Sequence, residues 1–232
     1  MLYNFANTTA LARTTKTMQK QYAVLPKTEW SASRLWEVKF HSFVPLCLSL
    51  LLVGLGEGFL LVSNLGSAPW TILSQGIALQ TGVSVGVASF IVSCAVMLAW
   101  LPLRLKIGLG TLLNIILIAI ALGLCAAVMQ TPETALGRFV YALIGILLMG
   151  VGSAFYLTCH MGSGPRDGLM VGLCQRFKLK VGVVRTAMES AVAIIGFLLG
   201  GTLGLATLLF AFSIGWVIQL TLHFFNTAAN KR

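Results

Sequence analysis

Gly162-Ser163-Gly164-Pro165-Arg166-Asp167-Gly168-Leu169-Met170 is the stretch whose reading decides the fold, because Gly66-Ser67-Ala68-Pro69 repeats its opening one half-chain earlier. Shifting the chain against itself by 96 residues, from Gly66 to Gly162, aligns the two without a gap over a far longer span. Gly54 and Gly56 fall on Gly150 and Gly152, Leu73 and Gly76 on Leu169 and Gly172, and Val85-Gly86-Val87 on Val181-Gly182-Val183. Gly108, Leu109 and Thr111 fall on Gly204, Leu205 and Thr207. Single Leu or Val matches arise by chance in an apolar chain, but a common register of glycines with a proline does not. The sequence is an internal duplication.

Of 232 residues, 57% are hydrophobic and only 9% charged, and the mean hydropathy is +0.91, which does not describe a soluble surface. The net charge of +10 sits in tails and short loops and not on one face, so a nucleic-acid partner is not expected. Cys47, Cys94, Cys125, Cys159 and Cys174 are scattered with no C-x-x-C pair and read as small hydrophobes. His160 beside Cys159, with Cys174 further on, matches no ligand spacing, and no metal is expected.

Residues 1–40 read as a polar basic tail, with Arg13, Lys16, Lys20, Lys27, Arg34 and Lys39 and no acid before Glu29. The tail lacks the apolar core and cleavage site of a secretory signal, and Met18 is an alternative start. Trp30, Leu35, Trp36 and Phe40 between basic residues predict a short helix at the membrane interface. Apolar runs at 42–63, 83–103, 109–129, 138–158, 181–200 and 203–224 follow. About 20 residues rising 1.5 Å each match a hydrocarbon core of about 30 Å. With no water to satisfy open backbone groups and no period-2 alternation, these are helices.

The expected fold is therefore an all-α transmembrane bundle of six spans, three per repeat: repeat one over about 41–129, repeat two over about 137–225, and a C-terminal tail at 226–232. An odd number of spans per copy inverts the second copy relative to the first. The charges agree: with the N-terminus inside, the cytoplasmic segments carry the basic tail, Arg104 and Lys106, then Arg166, Arg176, Lys178 and Lys180, then Lys231 and Arg232. The outer segments carry only Glu133 and Arg138. This predicts a multi-span membrane protein with both termini in the cytoplasm. Residues 70–81 and 166–177, entered through Gly-x-x-Pro turns, are too short to cross and predict interfacial or re-entrant helices. Were both to span, there would be eight crossings and Arg104 and Lys106 would move outside, against the charge bias.

At Gly162 to Met170, continuing through Val181-Gly182-Val183-Val184-Arg185, Glu189 and the Gly200-Gly201 to Thr207 run, the chain resembles the bacterial YczE/YyaS/YitT family of integral membrane proteins. The resemblance covers roughly residues 42 to 225 and implies a multi-span inner-membrane protein.

The residues able to carry chemistry are few. Ser163, Gly164 and Arg166 lie at a helix N-terminus, whose free N–H groups and dipole suit a carboxylate or phosphate-like group. The candidate ligand-binding set is Gly66, Ser67, Pro69, Gly162, Ser163, Gly164, Pro165, Arg166 and Asp167. The bland alternative is a Gly-Pro turn with Asp167 offsetting the dipole and Arg166 facing headgroups. Arg185 and Glu189 are four apart within a span and can pair, as a gate or as structure. Glu57, in Gly54-Leu55-Gly56-Glu57-Gly58, has no cation near it in sequence and is a candidate proton carrier; the alternative is a neutral carboxyl hydrogen-bonded to a neighbouring span. Its repeat mate is Ser153 and that of Glu189 is Ser93, so any ionic site is asymmetric. No P-loop, nucleophile elbow, H-E-x-x-H or dinucleotide fingerprint occurs, so neither catalysis nor a cofactor is expected. The expected function is a small-solute transporter or permease, with a non-transporting membrane scaffold or accessory protein as the alternative. Expected partners are the lipid bilayer, a small or anionic solute and further copies of the chain.

Overall fold

The computed structural model describes residues 28–229; the tail positions before residue 28, Lys231 and Arg232 lie outside the described residues. The described residues form helices and no strands: α1 (Phe40–Val62), α2 (Pro69–Thr81), α3 (Val85–Leu98), α4 (Trp100–Leu103), α5 (Leu109–Val128), α6 (Ala135–Thr158), α7 (Pro165–Phe177), α8 (Val181–Leu198) and α9 (Leu205–Ala229). Six are long and apolar enough to cross a membrane: α1, α3 with α4, α5, α6, α8 and α9. They fall within a few residues of the runs read from sequence. Helices α2 and α7, of 13 residues each, are too short.

Local sequence explains the boundaries. Pro69 and Pro165 open α2 and α7, where a missing N–H costs nothing. Ser84 and Thr134 cap α3 and α6 by accepting from the N–H groups of Val87 and Gly137. The left-handed backbone positions come in pairs separated by the repeat offset: Asn64 with His160, Gly66 (φ 118°) with Gly162 (φ 117°), Gly82 with Lys178, and Arg104 with Gly200. A turn thus recurs whether or not its residue favours that conformation.

Packing recurs too, with partners exchanged. A Cβ on Gly56 would lie 2.7 Å from the Gly145 carbonyl, and one on Gly152 would lie 2.8 Å from that of Ser49. These equivalent contacts make α1 and α6 antiparallel and bring their backbones together through small residues, the packing that a membrane interior favours. Two cores follow. Leu46, Leu50, Val53 and Ile118 centre one, and their repeat mates Ala142, Ile146, Met149 and Ile214 centre the other. Helices α1, α5, α6 and α9 form the central bundle; α2 lies on α8 and α7 on α3 and α4.

One expectation is corrected. Residues 28–39 do not form an interfacial helix; they run as turns before α1 begins. Trp30 stacks on Phe155 and meets Phe225 edge-on, and its Nε1 donates to Thr158 Oγ1 (2.9 Å). The Ala32 N–H donates to the Cys159 carbonyl (3.0 Å). Docking on the ends of α6 and α9 wins over the amphipathic pattern. Beside this strap, hydrogen bonds from Lys39 and the Ser33 N–H hold the Glu37 carboxyl below its ordinary range.

Candidate functional site

The two Gly-x-x-Pro breaks are each clamped by the other half of the chain. The Thr207 hydroxyl accepts from the Ser67 N–H (3.1 Å) and the Ala206 N–H donates to the Leu65 carbonyl (2.9 Å). At the other break Thr111 Oγ1 donates to the Ser163 carbonyl (2.8 Å) and the Gly110 N–H to the Met161 carbonyl (2.8 Å). Gly66 and Gly162 sit where a side chain would meet Thr207 Oγ1 at 2.5 Å and Thr111 Oγ1 at 2.8 Å, in a φ region that favours glycine.

So held, side chains from the first turns of α2 and α7 meet. The Arg166 guanidinium lies over the Trp70 ring, 5.5 Å from its centroid, within cation–π range. Positions 70 and 166 are repeat mates, so the contact lies at the centre about which the halves exchange partners. Glu57 closes the site from α1. Gly54 and Gly58 give room to α5 and Gly56 to α6, leaving Glu57 to face α2 and α7. Its side chain is 1% exposed, against 23% for Arg166. Arg166 Nη1 donates to Glu57 Oε1 (2.9 Å) and Thr71 Oγ1 to Oε2 (3.0 Å), so each carboxylate oxygen has a donor. A buried carboxylate is tolerated only when so served. Glu57, with no cation near it in sequence, is paired with one from the other repeat.

Around the pair, Tyr156 of α6 donates to Asp167 Oδ2 (2.5 Å) and its hydroxyl accepts from the Gly164 N–H (3.4 Å). Trp100 Nε1 donates to the Pro165 carbonyl (3.0 Å). The Ser67 hydroxyl is buried with no partner among the described residues. Arg185 and Glu189 pair at 2.9 Å on α8, on a more exposed face than the Glu57 pair. Sequence reasoning did not single out Trp70, Thr71, Trp100 or Tyr156 for the site. The sequence signal was partial: once Arg185 and Glu189 satisfy each other by spacing, Glu57 is left as the unpaired acid within a span, and several cations could have answered it.

Six spanning helices around buried breaks and an internal ion pair define an integral, multi-pass membrane protein in contact with the lipid bilayer. The chain belongs to a family described as "Family of unknown function (DUF6198)", which matches residues 40–223. It is 53% identical over 206 residues to an "Uncharacterized protein" of Haemophilus influenzae, covering 89% of this chain and 94% of that one. It is 28% identical to the "Uncharacterized membrane protein YczE" of Bacillus subtilis, covering 68% of this chain and 74% of the relative. Identity is 26% to the "Uncharacterized protein YyaS" of the same organism, over 70% of this chain and 83% of the relative. The resemblance read from the Gly-Pro-Arg-Asp-Gly-Leu segment therefore holds. No solved structure matches the chain.

Proposed function

We propose that the protein is a small-solute transporter or permease of the bacterial inner membrane, not an enzyme. In this reading it is built from two inverted three-span repeats, with both termini in the cytoplasm. The observation that carries it is the meeting of repeat-equivalent residues Trp70 and Arg166, at the N-termini of two short helices, around buried Glu57. Helix breaks that face each other at the seam of inverted repeats are a common design for binding a solute near the bilayer midplane. Partner exchange between the halves, and antiparallel α1 and α6, support the inversion. Arg166 commits only Nη1 to Glu57, and its remaining N–H groups make no hydrogen bond among the described residues. Together with the α7 N-terminus they suit the anionic group of a solute.

The test is thermal stability of the purified protein in detergent against small anions, amino acids, sugars and metal ions. A ligand at 100 times its Kd adds about 2.7 kcal/mol, and Arg166→Ala should weaken an anionic hit severalfold. Single cysteines at Ser67 and Ser163 should label from opposite sides, with labelling altered by the hit. A silent panel with fixed labelling would instead favour the non-transporting scaffold.

A further inference from the structure

The halves share a plan, but one of their seams does not match. In the first half a Cβ on Gly86 of α3 would lie 2.6 Å from the Ala119 carbonyl and 2.8 Å from Gly123 Cα, so α3 and α5 are in backbone contact. Ser89 and Ser93, on the same face of α3 by helical spacing, are 1% and 7% exposed. The repeat mates of Gly86, Ala119, Ser89 and Ser93 are Gly182, Gly215, Arg185 and Glu189. Among the described residues that seam is absent: a Cβ on Gly182 or on Gly215 would meet nothing within 4 Å. Among the described residues helix α8 lies on α2 and α7 and does not pack on α9 as α3 packs on α5. Its far end is fixed, since a Cβ on Gly196 would fall 2.4 Å from the Leu73 nitrogen of α2. Helix α8 is thus anchored at one end and parted from α9 towards the other. By helical spacing Arg185 and Glu189 share the face of Gly182, and they are 45% and 28% exposed where α3 carries two buried serines.

We propose that the seam between α8 and α9 is a gate, standing open in this structure, and that the Arg185–Glu189 pair is the wedge that keeps it open. Closed, it takes the geometry of the α3–α5 seam, with Gly182 seated on Gly215. Charges within a span keep their water, and bringing α9 onto them strips it; serines present no such barrier. The inference rests on the equivalence of the halves and deepens the transport reading by naming the moving element and its lock. The opposite motion, α3 leaving α5, would open the other face.

The test replaces the five native cysteines with alanine and introduces Gly182→Cys with Gly215→Cys, positions where a side chain meets nothing. A disulfide needs the two Cα atoms within about 7 Å, so oxidant-driven bridging in membranes reports closure. Adding Arg185→Ser with Glu189→Ser, which copies the first half, should raise bridging severalfold. Glu189→Arg, which keeps the face charged, should leave bridging at or below the level of the protein with the pair. An unchanged yield in the double-serine variant, or a rise in both, overturns the wedge. No solute is added, so the result stands apart from transport: the wedge stands or falls on bridging, and the permease reading on the ligand panel together with the labelling at Ser67 and Ser163.

Discussion

Two equivalent crossings, α2 on α8 and α7 on the α3–α4 span, solve one packing problem in different ways. At the first, Gly196 lets α8 approach until a Cβ would strike the backbone of Ile72 and Leu73. At the second, the mate of Ile72 is Gly168 and the mate of Gly196 is Trp100; a Cβ on Gly168 would lie 2.0 Å from the indole. One crossing is held by close backbones, the other is propped by a ring whose Nε1 also ties down the Pro165 carbonyl. The crossings recur at positions 96 residues apart, while the volumes on the two sides differ and each is filled in its own way.

Exchanging the volumes tests this most severely. Trp100→Gly should cost about 3–5 kcal/mol, as for other buried aromatic truncations. Gly168→Ile, forced into a buried ring, should cost about 3 kcal/mol. The double variant rebuilds the Ile–Gly pairing of the first crossing and should recover about 1–3 kcal/mol relative to the sum. Thermal melting in detergent of all four proteins measures the coupling. Strict additivity would break the equivalence of the crossings.

A smaller contrast lies in the clamping threonines. Thr207 accepts two N–H groups, from Ser67 and Gly204, whereas Thr111 accepts one from Gly108 and donates to the Ser163 carbonyl. An orphaned buried N–H is rarer than an under-satisfied carbonyl, which has a second lone pair. Thr207→Val should therefore cost more than Thr111→Val, about 2 kcal/mol against about 1 kcal/mol. Equal melting temperatures would mean that the two clamps do not differ in this way.

The fold was legible because each of its determinants is local or periodic. Span length, Pro-opened short helices and the glycine register all act within a few residues, and the observed boundaries follow them. The centre of the site was half legible. Arg166 and Asp167 stand at the break that the repeat singled out, but the partner of Arg166 is 109 residues away, so adjacency could not supply it. Trp30 misled for the opposite reason: its local pattern favours an interfacial helix, and contacts with Phe155 and Phe225 override that preference. The missing α8–α9 seam was invisible too, because Gly182 continues the glycine register of Gly86 and only packing separates them.

The finest distinction between the halves is at the ends of the short helices. Gly82 closes α2 with φ 75°, and its mate Lys178 closes α7 with φ 54°. The left-handed region costs a residue with a Cβ about 1–2 kcal/mol, and glycine gives back about half of that through the greater freedom of its unfolded chain. Lys178→Gly should therefore stabilise the protein by about 0.5 kcal/mol, and Gly82→Lys should destabilise it by a similar amount. The two substitutions act on one backbone conformation from opposite sides, so their shifts in melting temperature should be of opposite sign. If Lys178→Gly also destabilises, the lysine holds the end of α7 by an interaction with the membrane surface that outweighs its backbone strain, and the two helix ends differ in function as well as in sequence.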